Sequence, residues 1–266
     1  MPRGHRERHH TIPTDHPPGR RPLRLPLALI ALLLSTRVAA QEASSKPTNN
    51  DRLRTDWADL HHYADENGRL GPPVDGERRV VFMGNSITEL WRTRDSGFFA
   101  GRPYVDRGIS GQTTPQMLVR FRQDVIDLEP SVVVILGGVN DIAENTGPTT
   151  LDAIYGNLVS MVELARANGI TVVLCSVLPA SHFTWRPGLE PAPKIRALNA
   201  KLREYAAAHH VVFVDYYGAM VDGEGGLKAE LTSDGVHPTA AGFRVMEPLV
   251  ESGIAAALQA GTGERR

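Results

Sequence analysis

The stretch Val80-Val-Phe-Met-Gly84-Asn-Ser86-Ile87 decides how the chain is read. Four large apolar residues run without alternation and then stop at Gly-Asn-Ser. An unbroken apolar run of this length marks a strand buried on both faces, as in a parallel sheet covered by helices on each side. Similar runs recur at Tyr104–Arg107, Val132–Leu136, Thr171–Cys175 and Val211–Asp215. Helical periodicity fills the gaps. Thr150 can cap a helix in which Leu151, Ile154, Leu158, Met161, Val162 and Ala165 share a face and Gly169 ends it. Lys194–His209 repeats the pattern with Ile195, Leu198, Leu202 and Tyr205, and Thr239 can cap a last helix from Ala240 towards Gln259. Strands alternating with helices imply right-handed βαβ units. The expected fold is α/β, a three-layer α/β/α sandwich around a five-stranded parallel sheet.

The sequence before Val80 divides into a leader and a connector. Arg20, Arg21 and Arg24 precede the apolar run Leu25–Leu34, and Val38-Ala39-Ala40 offers a small-residue cleavage site. This order reads as a signal peptide, too short for a comfortable transmembrane span, so export is expected after cleavage near Ala40. Residues 41–78 read as a polar linker followed by a short helix over Asp51–Tyr63, carrying Leu53, Trp57 and Leu60 on one face. Pro72-Pro73 within Gly68–Gly76 would break it. The folded domain is expected over residues 79–260.

Composition narrows the function classes. The 266 residues are 41% hydrophobic and 22% charged, with a formal net charge of −1. Those values exclude a disordered chain and a polytopic membrane protein. Residues 1–40 hold seven Arg against two acidic residues, so the remainder carries 22 basic and 28 acidic residues. A mildly acidic body argues against nucleic acid as a partner. The single cysteine, Cys175, cannot form an internal disulfide and sits in an apolar run, where buried filler is the expected role. His61-His62 and His209-His210 lack the i, i+4 spacing of a helical metal site, and no metal or cofactor is expected. The oligomeric state is not legible.

In an open parallel sheet, ligands bind beyond the carboxyl ends of the strands. The residues following the strands are therefore informative. They are Gly84-Asn85-Ser86-Ile87, Gly108-Ile-Ser-Gly111-Gln-Thr, Gly137-Gly-Val-Asn140-Asp141 and, beyond the fifth strand, Asp234-Gly-Val-His237-Pro238. Over roughly residues 78–258 this set resembles the SGNH hydrolase superfamily, the GDSL-like esterases and acylhydrolases, with all four blocks in order. The resemblance implies a flavodoxin-like SGNH fold, Ser86 as nucleophile, Gly111 and Asn140 as oxyanion-hole residues with the Ser86 N–H, and Asp234 with His237 completing a triad. Asn85 and Ile87 stand where the family name has Asp and Leu, which points towards acetyl-ester and carbohydrate-ester members.

The residue types suit that chemistry. A serine hydroxyl needs a base, which His237 supplies, and Asp234 can hold the other imidazole nitrogen. The bland alternatives are Ser86 as a helix cap, Asn140-Asp141 as a turn and His237 as a surface histidine. Trp185 and Arg186, in the long loop Leu178–Pro193, are candidate substrate contacts, with loop packing as the other reading of Trp185. Trp91 reads as core. The expected activity is a serine esterase acting on short, acetyl-type esters of carbohydrates or other small molecules. A lysophospholipase or thioesterase, or a non-catalytic carbohydrate-binding protein on the same scaffold, are the alternatives. A nucleotide-binding protein is disfavoured because no G-x-G-x-x-G follows the first strand.

Overall fold

A computed structural model describes residues 55–263. The expected leader (1–40), the polar linker and the start of the expected helix at Asp51 lie outside the described residues. Five strands appear where the apolar runs placed them: β1 Val80–Gly84, β2 Tyr104–Gly108, β3 Val132–Leu136, β4 Thr171–Cys175 and β5 Val212–Val214. All pairings are parallel, in the order β2-β1-β3-β4-β5, with Val80 level with both Tyr104 and Val132. β1 and β3 are buried along their whole length, whereas the edge strands β2 and β5 are partly open. The alternation of strand and helix is thus realised as the expected flavodoxin-like sandwich.

Eight helices accompany the strands among the described residues: α1 Ala64–Leu70, α2 Ser86–Arg94, α3 Thr114–Asp124, α4 Val139–Ile142, α5 Leu151–Ala167, α6 Pro191–Ala208, α7 Tyr216–Met220 and α8 Ala240–Gly263. α2 and α8 cover one face of the sheet, against β1–β2 and β3–β5 respectively, while α3, α5 and α6 cover the other. α5 begins and ends as its Thr150 cap predicts, with the Thr150 hydroxyl accepting from the Ala153 N–H. Trp91 is core: its ring stacks on Phe98 and on Phe243, with centroids 4.7 and 5.1 Å away. This packing fastens α2 to α8. It therefore fixes the distance between the segments that carry Ser86 and His237.

The short helix expected over Asp51–Tyr63 is corrected. Residues 56–63 form turns, and the helix begins only at Ala64. The Asp56 carboxylate accepts from the Leu60 and His61 N–H groups, and Asp59 adopts a left-handed conformation at φ 55°. Aspartate bonds to nearby backbone in this way compete with helix formation. The break also moves, since Gly68 lies within α1 and the helix stops at Gly71. Cys175 is buried in β4, and burial pushes its thiol up to about 12, as expected of inert filler.

Candidate active site

The turn from β1 into α2 is made with no spare space. A Cβ on Gly84 would stand 2.0 Å from the Thr88 hydroxyl oxygen, so only glycine lets the strand pass straight into the helix. Asn85, not Ser86, caps α2: its Oδ1 accepts from the Ile87 N–H at 3.2 Å. The capping reading of Ser86 is therefore removed. Ser86 is the first residue of α2, where its N–H has no partner inside the helix and the helix dipole favours negative charge.

With the cap supplied by its neighbour, the Ser86 hydroxyl points elsewhere. Its Oγ lies 2.9 Å from His237 Nε2, and His237 Nδ1 lies 2.7 Å from Asp234 Oδ2. A carboxylate only accepts, so Nδ1 carries the hydrogen and Nε2 presents its lone pair to Ser86. Asp234 is itself held, its Oδ1 accepting from the Val236 and His237 N–H groups at 2.9 and 2.8 Å. Burial works against its negative charge, but the bonds from the His237 N–H, the His237 ring and the Val236 N–H outweigh it and bring the acid down to about 2. Thr232 closes the loop by donating to the His237 carbonyl at 2.9 Å. Arg94 of α2 donates to the Pro238 carbonyl, a second tie between the two segments.

Gly111 and Asn140 arrive from the neighbouring strand ends. Gly111 adopts φ +79°, a conformation that L side chains rarely take. A Cβ there would meet no protein atom within 4 Å. Backbone conformation, not crowding by the protein, demands the glycine. Asn140 is no ordinary turn residue; it lies in the one-turn helix α4. Its amide nitrogen donates to the Gln112 carbonyl at 2.9 Å, which orients the group and leaves its second N–H. The N–H groups of Ser86 and Gly111 and the Asn140 amide thus hang from three adjacent strands at one rim.

Several residues that support this rim gave little warning in sequence. Arg120 is fully buried in α3 and donates to Gln112 Oε1, Asp124 Oδ2, Gly84 O and Arg107 O. It therefore clamps the ends of β1 and β2 to the loop after Gly111. Its only signal was a cation on the apolar face of α3, between Met117 and Phe121, with Asp124 four residues on. Asp141 accepts from the Thr114 N–H and hydroxyl, tying α4 to α3. Glu89 of α2 accepts from the Ser110 N–H at 2.7 Å and from its hydroxyl, holding the Gly111 loop from the other side. Asp106 is buried in β2 with one oxygen accepting from Gly108 and the other unpartnered, and burial raises it to about 7.

A cleft of about 450 Å³ opens beside Gly111 and Gln112. Trp185 and Arg186 line it, as expected of substrate contacts, and so do Trp57 and Asn145. Trp185 also packs the loop: its Nε1 donates to Asn145 Oδ1, its ring lies 5.1 Å from Phe183, and the His237 ring is 6.3 Å away. Arg186 donates to the Glu144 carbonyl. Trp57 was read only as part of a helix face, and its place at this rim had no sequence signal. Among the described residues, no group of three or more His, Cys, Asp or Glu could hold a metal ion, and no helix is long and apolar enough to cross a membrane.

Residues 82–245 match the model of the GDSL-like Lipase/Acylhydrolase family. The fold is shared with a proposed acylhydrolase of Bacteroides fragilis, at 52% identity and a TM-score of 0.75, over 77% of this chain and 99% of that one. The Pseudomonas aeruginosa esterase TesA is 30% identical over 176 residues, 63% of this chain and 79% of the relative. The Bacillus subtilis lipoprotein YqeF is 25% identical over 56% of this chain and 72% of its own length.

Proposed function

The chain belongs to the GDSL-like Lipase/Acylhydrolase family and is a carboxylic ester hydrolase, and from that premise we propose that it removes short acyl groups, acetyl foremost, from carbohydrate or other small hydroxyl-bearing esters. The observation that carries the reading is the unbroken line Ser86 Oγ, His237, Asp234, with separations of 2.9 and 2.7 Å.

In this reading His237 Nε2 takes the Ser86 proton as Oγ attacks the ester carbonyl carbon. The tetrahedral oxyanion is met by the Ser86 and Gly111 N–H groups and the Asn140 amide, each such donor contributing about 3 kcal/mol to lowering the barrier. Asp234, ionised because of its own backbone bonds, stabilises the imidazolium and keeps the ring in register. His237 then returns the proton to the departing alkoxide as the carbonyl re-forms, leaving an acyl-Ser86 ester. Water, deprotonated by the same imidazole, attacks that ester and releases the acid.

Short acyl groups are favoured because the turns after β1, β2 and β3 are brief and carry no lid-like apolar insertion. The cleft beside Gly111 is lined largely by polar side chains, which suits a hydroxyl-bearing acceptor better than a lipid. Export is proposed on the leader sequence, supported by likeness to a protein called a lipoprotein.

A p-nitrophenyl ester series from acetate to octanoate, run beside acetylated sugars and lysophospholipids, tests the substrate class. Acetyl and butyryl esters should turn over fastest and acetylated sugars should be substrates. A maximum at octanoate or preference for lysophospholipid would replace this reading with the lysophospholipase or thioesterase one.

A further inference from the structure

Two of the chain's three tryptophans are 39% exposed, Trp57 and Trp185, and both line the cleft that opens beside Gly111. An exposed indole is a large apolar plate that tends to find a partner of matching shape. Here two of them border one polar cleft, while Trp91 is buried in the core. The plates come from far apart in sequence. Trp57 lies before the family-matched residues 82–245, and Trp185 lies in the loop after β4.

The Trp57 wall is built rather than merely adjacent. Gln116 donates to the Trp57 carbonyl and Gln112 to the Ala58 carbonyl, each at 2.7 Å. Asp56 locks the following turn through the Leu60 and His61 N–H groups. Gln112 is the residue after Gly111 and accepts from Asn140 through its own carbonyl. One wall of the cleft is therefore fastened to the loop expected to hold the oxyanion.

Direction follows from the proton. His237 Nε2 faces Ser86 and, in the mechanism above, protonates the departing alcohol, so the alcohol lies on the imidazole's side. Trp185 is the aromatic ring beside that imidazole, and it borders the cleft. A volume of about 450 Å³ also far exceeds the needs of a two- to four-carbon acyl group.

We propose that the cleft between Trp57 and Trp185 is an acceptor subsite that binds the alcohol portion of the ester as a pyranoside, its apolar C–H face against indole and its hydroxyls towards Asn145, Arg186 and Gln112. The proposal rests on the carbohydrate-ester reading and adds the residues that would select the sugar. Trp57 is the main determinant, because it belongs to no part of the proposed catalytic machinery.

The test compares two esters on the same enzyme preparations: ethyl acetate, whose alcohol has no ring, and mono-O-acetylated methyl glucoside and xyloside. The quantity read is the ratio of kcat/KM on glycoside to that on ethyl acetate, which is independent of the fraction of enzyme correctly folded. Trp57→Ala and Trp185→Ala should each lower this ratio about tenfold, chiefly through KM on the glycosides. Trp57→Phe should restore most of it. If the wild-type enzyme hydrolyses the glycosides and Trp57→Ala leaves the ratio unchanged, the carbohydrate reading survives and the subsite is overturned. If the wild-type enzyme hydrolyses ethyl acetate and neither glycoside, the carbohydrate reading itself fails, and the subsite with it.

Discussion

The Asn140 side-chain amide donates to the Gln112 carbonyl oxygen at 2.9 Å, joining the segment after β3 to the one after β2. Gln112 is in turn gripped by Arg120, whose Nε reaches its Oε1 at 2.6 Å and whose other nitrogens hold the last carbonyls of β1 and β2. Two of the proposed oxyanion donors, Gly111 and Asn140, are therefore positioned by one buried guanidinium. Preorganisation of this kind is what gives fixed dipoles their effect on a developing charge.

Asn140→Ala should remove a donor to charge present mainly in the transition state. Steady-state kinetics on p-nitrophenyl acetate should show kcat down by roughly 10²–10³-fold with KM little changed. An increase in KM alone would mean that Asn140 binds substrate rather than the oxyanion.

Ser86→Ala should lower turnover on the order of 10⁴-fold or more while leaving the fold intact. The fold should tolerate the change because Asn85, not Ser86, supplies the cap of α2. An organophosphonate should label the wild-type protein and fail to label the variant. Near wild-type hydrolysis by Ser86→Ala would remove this serine from the mechanism.

Asp234→Asn should act through His237. Acyl-chain preference should be retained, while the pH–rate profile between about pH 6 and 10 should shift towards alkali as hydroxide or an unassisted imidazole carries more of the proton transfer. In the wild type, Asp234 is held at about 2, below the ordinary value of about 3.9. Its contribution to stability is thus present above about pH 4 and is lost only as the pH falls through 2. The acid limb of activity must then belong to another group. An Asp234→Asn profile superimposable on wild type would place the carboxylate outside the relay.

Asp106 predicts a pH effect of opposite sign. Burial raises it to about 7 in the folded chain, against about 3.9 when unfolded. Stability from this group is therefore greatest below about pH 4 and declines as pH rises to 7, by at most about 1.4 kcal/mol per pH unit. Asp106→Asn abolishes the titration while keeping an acceptor for the Gly108 N–H. Thermal melts should show the variant gaining on wild type from pH 4 to 7 and running parallel above it. A constant difference between the two proteins over that range would show that Asp106 does not titrate there.

Reading the chain from its sequence succeeded where local pattern carries the information. The strands were legible because a strand buried on both faces must be apolar throughout, and Val80–Met83 and Val132–Leu136 are. α5 was legible because Thr150, Gly169 and the intervening apolar stripe report on their own neighbourhood. Ser86, Gly111, Asn140, Asp234 and His237 could be picked out because a parallel sheet delivers whatever follows its strands to one rim. The tertiary structure alone decided which groups meet there. Asn85 took the cap and freed Ser86, a choice that depends on side-chain geometry rather than composition. Asp56 and Asp59 spent their bonding capacity on local turns and diverted residues 56–63 from the expected helix, placing Trp57 opposite a loop more than a hundred residues away. Arg120 and Gln112 became supports because burial obliges every guanidinium hydrogen to find an acceptor, and the carbonyls within reach belong to β1 and β2. Periodicity records which face of an element is hidden. Which distant polar groups satisfy one another on that face is fixed only when the layers close.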